Sequence, residues 1–175
     1  MSTFALVQNG IVVDLRPATF PVAAGLSWTP DISAVSPPPL FGWSATETNG
    51  TWSFSAPAAP PPTPGQEAMA LLAGGLAVSA TGSLTLSGVV FPADATTQQW
   101  VNSEMIALLA SNNAAFADGS ATISWPDAGG AGHTLTPAQF RALATVLAAF
   151  VSGCVKCMNG LATALPAASV TIAMP

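Results

Sequence analysis

Apolar and polar positions along this chain follow two rhythms, a short one near the start and a long one near the end. Phe4-Ala5-Leu6-Val7 and Ile11-Val12-Val13 are apolar runs separated by Gln8-Asn9-Gly10. Asn-Gly between two such runs predicts a β-hairpin, because a type I′ turn needs positive φ at both central residues. The pattern returns where Gly42-Trp43-Ser44-Ala45 and Thr51-Trp52-Ser53-Phe54 flank Asn49-Gly50. Trp43 and Trp52 are placed to stack across that second hairpin.

Pro57 to Gly65 (Pro-Ala-Ala-Pro-Pro-Pro-Thr-Pro-Gly) interrupts both rhythms and predicts an extended, semi-rigid spacer. Beyond it helix and strand patterns mix. Gln66–Ala73 reads as a short helix ended by Gly74-Gly75. Leu76–Ala80 and Ser83–Ser87 alternate around Thr81-Gly82, with Val89-Val90-Phe91 extending the second run. Asp94 is a helix cap for residues 95–111, whose apolar face is Val101, Met105, Leu108 and Leu109. Thr122–Trp125 and His133–Leu135 predict a small hairpin around Asp127–Gly132.

The long rhythm is clearest at the end. Thr136-Pro137-Ala138-Gln139 supplies a cap, a proline at the first helical position and a reciprocating Gln. Phe140, Leu143, Leu147, Phe150, Cys154, Cys157 and Leu161 then recur every three or four positions, a heptad seam. Val146, Gly153 and Gly160 form a neighbouring stripe at seven-residue spacing. Glycine disfavours a helix by about 1 kcal/mol, so two on one stripe point to close approach of another backbone. This stripe is the candidate subunit interface. Pro166 stops the helix by Leu165.

These elements predict an α+β protein in three parts: a small β-rich head at 1–56, a Pro-rich linker at 57–65, and a mixed domain at 66–175. The last has short strands and two main helices.

Composition narrows the function. Apolar residues make up 50% of the chain and charged residues only 6%, against roughly 25% charged in typical soluble domains. A core can be built, but the surface has little self-repulsion, which favours association. The fixed cations are Arg16, Arg141 and Lys156. Three scattered cations cannot form a phosphate-binding patch, so no nucleic-acid partner is expected. The charge-free run between Arg141 and Lys156 is too short to span a bilayer, so no membrane insertion is expected. Met1-Ser2-Thr3-Phe4 has no basic leader region, so no secretory signal is expected.

No chemistry-bearing cluster stands out. Cys154 and Cys157 have redox-like spacing but sit inside a helix on its apolar seam, so they read as core residues. His133 is the sole histidine, and Asp127 is the acid near it in sequence. Zinc needs about four ligands. Neither a catalytic residue, a cofactor nor a metal is expected. Trp43, Trp52 and Trp125 form a candidate aromatic surface, whose ligand would be a host glycan.

Several segments now resemble a known family. Gly88-Val89-Val90-Phe91-Pro92-Ala93-Asp94, Thr96-Thr97-Gln98, Ile123-Ser124-Trp125 and His133-Thr134-Leu135-Thr136 occur in the order found in a domain of unknown function common in bacteriophage tail-fibre proteins. The closing helix resembles that family's too, with Phe150, Val151 and Cys154 near its middle. The likeness runs from Leu84 to Leu165, and the opening, with Phe41-Gly42-Trp43-Ser44, looks like small phage tail proteins. This chain departs from the family in having Lys156 alone after Cys154, which favours a helix buried against a partner. The family implies no catalytic residues.

The resemblance implies a structural component of a phage tail, fibre- or baseplate-attached. It would be assembled in the host cytoplasm, reside in the virion, dock to other tail proteins and form a homo-oligomer. Alternatives are a tail-fibre assembly chaperone and a carbohydrate-binding module.

Overall fold

The computed structural model describes residues 2–175. It divides into two compact units, Met1–Pro61 and Pro62–Pro175. The first is built on one antiparallel sheet of β1 (Phe4–Gln8), β2 (Ile11–Arg16), β3 (Leu26–Trp28), β4 (Ser44–Thr48) and β5 (Thr51–Ser55). Its spatial order is β3-β1-β2-β4-β5. Both Asn-Gly turns lie where the pattern predicts them. Asn9 and Gly10 have φ of 50° and 75°, and Asn49 and Gly50 have 53° and 78°, as a type I′ turn requires. The core of this unit is small: Ala5, Val7, Val12, Ile32 and Ala45, with Trp43, Trp52 and Phe54 packed at its margin.

The second unit contains α1 (Pro64–Gly74), β6 (Leu76–Gly82), β7 (Leu86–Phe91), α2 (Ala95–Ala110), β8 (Ile123–Pro126), β9 (Gly132–Leu135), α3 (Pro137–Met158) and β10 (Ser169–Met174). The whole chain is therefore mixed α+β, strand-rich first and helical later. Pro64 and Gly65, expected in the linker, open α1. Thr63 caps that helix through a reciprocal box with Gln66, and a proline just inside a cap is favourable. Asp94 caps α2 by accepting the Thr97 N–H at 2.9 Å. Thr136 and Gln139 form the expected box at the start of α3.

A three-stranded sheet has the order β10-β6-β7. β6 runs antiparallel to β7 and parallel to β10, so the chain passes through α2, the β8-β9 hairpin and α3 before returning to β6. The pattern does not predict β10, nor α1, β6 and β7 as its neighbours in one body. The core gathers Phe91, Leu108, Leu135, Phe140 and Leu143 with the rest of the inner faces. From α3 it takes Phe140, Leu143, Leu147, Phe150, Cys154 and Cys157, six positions of the predicted seam.

Candidate functional site

The three residues of the predicted subunit interface occupy three different settings. Val146 is half-buried and packs against the core of its own unit. At Gly153, an added Cβ would lie 3.0 Å from the Pro166 side chain. The close approach that this glycine permits is therefore made by the chain's own returning segment. Gly160 is not on the helix at all. Helix α3 ends at Met158, and Gly160 follows at φ 68°. Its N–H bonds to the Cys157 carbonyl, and the Leu161 N–H bonds to that of Lys156. This is a Schellman stop, which places glycine at the left-handed position. The close-packing glycine stripe is thereby corrected: one glycine receives a proline, and the other ends the helix. Leu161, the last member of the predicted seam, is 78% exposed for the same reason.

The predicted aromatic surface is also dispersed. Trp125 is buried at 4% exposure, its ring edge-on to Phe140 with centroids 4.9 Å apart. It is a core residue, not a surface one. Trp43 and Trp52 are half-buried against the first unit's core. In the register of β4 and β5, Trp52 faces Glu47, four residues beyond Trp43. The stacked pair formed is Trp52 with Phe54, at 6.4 Å and 18°.

His133 does find an acid. Its Nε2 lies 3.0 Å from Asp127 Oδ2, while Asp127 Oδ1 accepts the Gly129 and Ala131 N–H groups at 2.8 and 2.9 Å. The carboxylate thus ties the β8-β9 turn together. The His133 hydrogen bond, followed by that of Ala131, holds the Asp127 carboxyl below the usual carboxylate range. Ser124, the hairpin's own serine, pairs with Thr134. It therefore points to the opposite face from His133, since successive strand side chains alternate.

Cys154 and Cys157 are both buried and unpaired. Burial, with Cys157 beside it, pushes the Cys154 thiol up. Cys157 Sγ donates to the Ala164 carbonyl at 3.2 Å. Among the described residues, no group of three or more His, Cys, Asp or Glu is placed to hold a metal ion.

The carboxylates give the chain an acid-sensitive fold. Thr3 and Ser33 N–H groups hold Asp31 well down, the Thr97 N–H holds Asp94 down, and Asp127 is lowered as described. Folded values below the ordinary one mean that their stabilisation is complete above about pH 5 and is lost as pH falls through the lowered values. The melting temperature is therefore expected to fall steadily from about pH 5 to about pH 2, and Asp127→Asn should remove part of that fall. A melting temperature that does not change across this window would contradict the assignment.

The sequence pattern missed an exposed apolar feature on α2. Thr97, Val101 and Leu108 face inward, yet Trp100, Ile106 and Leu109 are 54%, 67% and 70% exposed. Its spacing predicts an inward Leu109, whereas the residue lies outward. Apolar residues surround this helix on all sides, a pattern of helices that are covered all round. Gln98, Asn102 and Ile106 step along one flank at four-residue spacing, with Leu109 beside them. Gln98 and Asn102 form one wall of an open groove of about 250 Å³, with Ala148, Val151 and Val155 of α3 on the other. Arg141 Nη1 donates to Asn113 Oδ1 at 3.0 Å, joining the segment just past α2 to the start of α3. No charged residue lines this groove.

The sequence model of a family described as a domain of unknown function (DUF4376) matches residues 67–174. No curated protein and no solved structure matches this chain.

Proposed function

The chain belongs to the DUF4376 family, and we propose that it is a non-catalytic structural component of a bacteriophage tail, fibre- or baseplate-attached, that works by docking to other proteins. The observation that carries the docking reading is the α2–α3 surface. Ile106 and Leu109 stand out into solvent beside an uncharged apolar groove, and exposed apolar patches of this kind mark interaction surfaces. The phage assignment rests on the ordered motifs from Leu84 to Leu165.

The occupant proposed for the groove is a second copy of the chain. The groove has no charge, so an identical surface meets it without like-charge repulsion, whereas a charged surface would be desolvated at a cost. The homo-oligomer interface thus moves from the Val146 stripe to α2.

Two measurements test this. Light scattering should show self-association of the unmodified protein. The double variant Ile106→Glu with Leu109→Glu should weaken it about 100-fold or more, on the scale of roughly 1.4 kcal/mol per tenfold, with its circular dichroism unchanged. Mass spectrometry should find the chain in purified phage particles. A protein that stays monomeric and is absent from particles would overturn the proposal. Absence from particles with presence on nascent fibre would replace it with the assembly-chaperone reading.

A further inference from the structure

The other flank of α2 borders a separate cleft. Trp100, Ser103 and Glu104 from α2 face Ile123, Ser124 and Trp125 from β8 across a space of about 360 Å³. This lies at the lower end of the range of about 300–1,000 Å³ usual for small-molecule sites. Trp100 is the exposed aromatic here, at 54%. Glu104 is held in place by one oxygen, since Oε2 accepts the Ala117 N–H at 2.9 Å. Among the described residues, no hydrogen bond is made by its Oε1 or by the Ser103 and Ser124 hydroxyls. Trp125 borders the cleft too, but its ring packs edge-on to Phe140 in the core.

We infer that this cleft binds a neutral hexopyranose unit of a glycan, stacked on Trp100 and hydrogen-bonded to Glu104 Oε1. A pyranose ring has an apolar C–H face and a rim of hydroxyls that both donate and accept. One flat aromatic surface, a carboxylate oxygen and two free hydroxyls match that chemistry. Other ligand classes fit less well. An anionic sugar or a phosphate would meet Glu104, the only charge in the cleft. A purely apolar ligand would desolvate Glu104 and both serines without replacing their water. A quaternary ammonium group is held by several enclosing aromatic faces, and Trp125, 4% exposed, offers no open one. This inference stands apart from the docking proposal, because the cleft and the groove lie on different flanks of α2.

The test uses the full chain, labelled with ¹⁵N and titrated with cellobiose, maltose and lactose, and separately with glucuronate and choline. The indole N–H signal of Trp100 should move saturably for at least one disaccharide, while those of Trp28, Trp43 and Trp52 stay. Dissociation constants of about 0.1–10 mM are expected for one stacked ring. Trp100→Ala should raise the constant at least about tenfold, and Trp100→Phe should keep it within about threefold, the rest of the spectrum showing an intact fold. The inference is overturned by no saturable response to any of the three disaccharides, by binding that Trp100→Ala leaves unchanged, or by preference for glucuronate or choline.

Discussion

Replacing Phe140 with alanine is expected to destabilise the second unit by about 3–5 kcal/mol, the cost of removing a fully buried aromatic side chain. Phe140 is 1% exposed. It meets Trp125 edge-on at 4.9 Å and Phe116 edge-on at 5.5 Å, so one substitution empties the space that three rings share. That loss is a large part of the roughly 5–15 kcal/mol by which domains are folded. Leu161→Ala is the control. It belongs to the same three-four spacing but is 78% exposed, and it should change stability by no more than about 0.5 kcal/mol. Urea unfolding followed by tryptophan fluorescence compares the two. Equal losses would mean that the seam does not stop at the end of α3.

Gly75→Ala should cost nearly as much, about 2–5 kcal/mol, through two separate effects. Gly75 caps α1 and turns the chain into β6, with φ 78° and ψ −176°. That region is open to glycine and costs other residues about 1–3 kcal/mol. An added Cβ would also lie 2.5 Å from the Phe91 carbonyl oxygen, across the pair Leu76↔Phe91 that starts the sheet. Backbone cannot yield as a flexible side chain would. Gly50→Ala is the control for a positive φ alone, since Gly50 also has φ 78° but lies in a type I′ turn with nothing within 4 Å. The Gly75 variant should lose clearly more than the Gly50 variant. If the two lose the same amount, neither the ψ of −176° nor the contact with Phe91 contributes.

What was legible in the sequence was local chemistry. The Asn-Gly turns, the Thr136-to-Gln139 capping box and the Asp94 cap each follow from residues a few positions apart, and all are present. The seam of α3 was legible up to Cys157. Past that point periodicity alone continued the helix, although Lys156 in its last turn and Asn159-Gly160 just after it carry the stop signal. Burial was harder to read, because it depends on what covers an element. Trp125 faces Phe140 rather than water, and no feature of the hairpin itself says which face another helix will take. Leu109 shows the reverse. A helix with apolar residues on every side has no period that marks its inner face. The parallel pairing of β10 with β6 joins distant segments, and strand alternation cannot name a partner.

That pairing also sets an order of events during synthesis. β6 and β7 leave the ribosome early and can close their hairpin at once. The other edge of β6 stays bare until Ser169–Met174 has been made, because only β10 pairs with it. Through that interval the growing chain presents uncharged backbone donors and acceptors along Leu76–Gly82, a template for any passing strand. The last strand then docks, and the Ser83 hydroxyl bonds to the Pro175 carbonyl beside it. A chain cut short after α3 would therefore have one edge of its sheet unguarded.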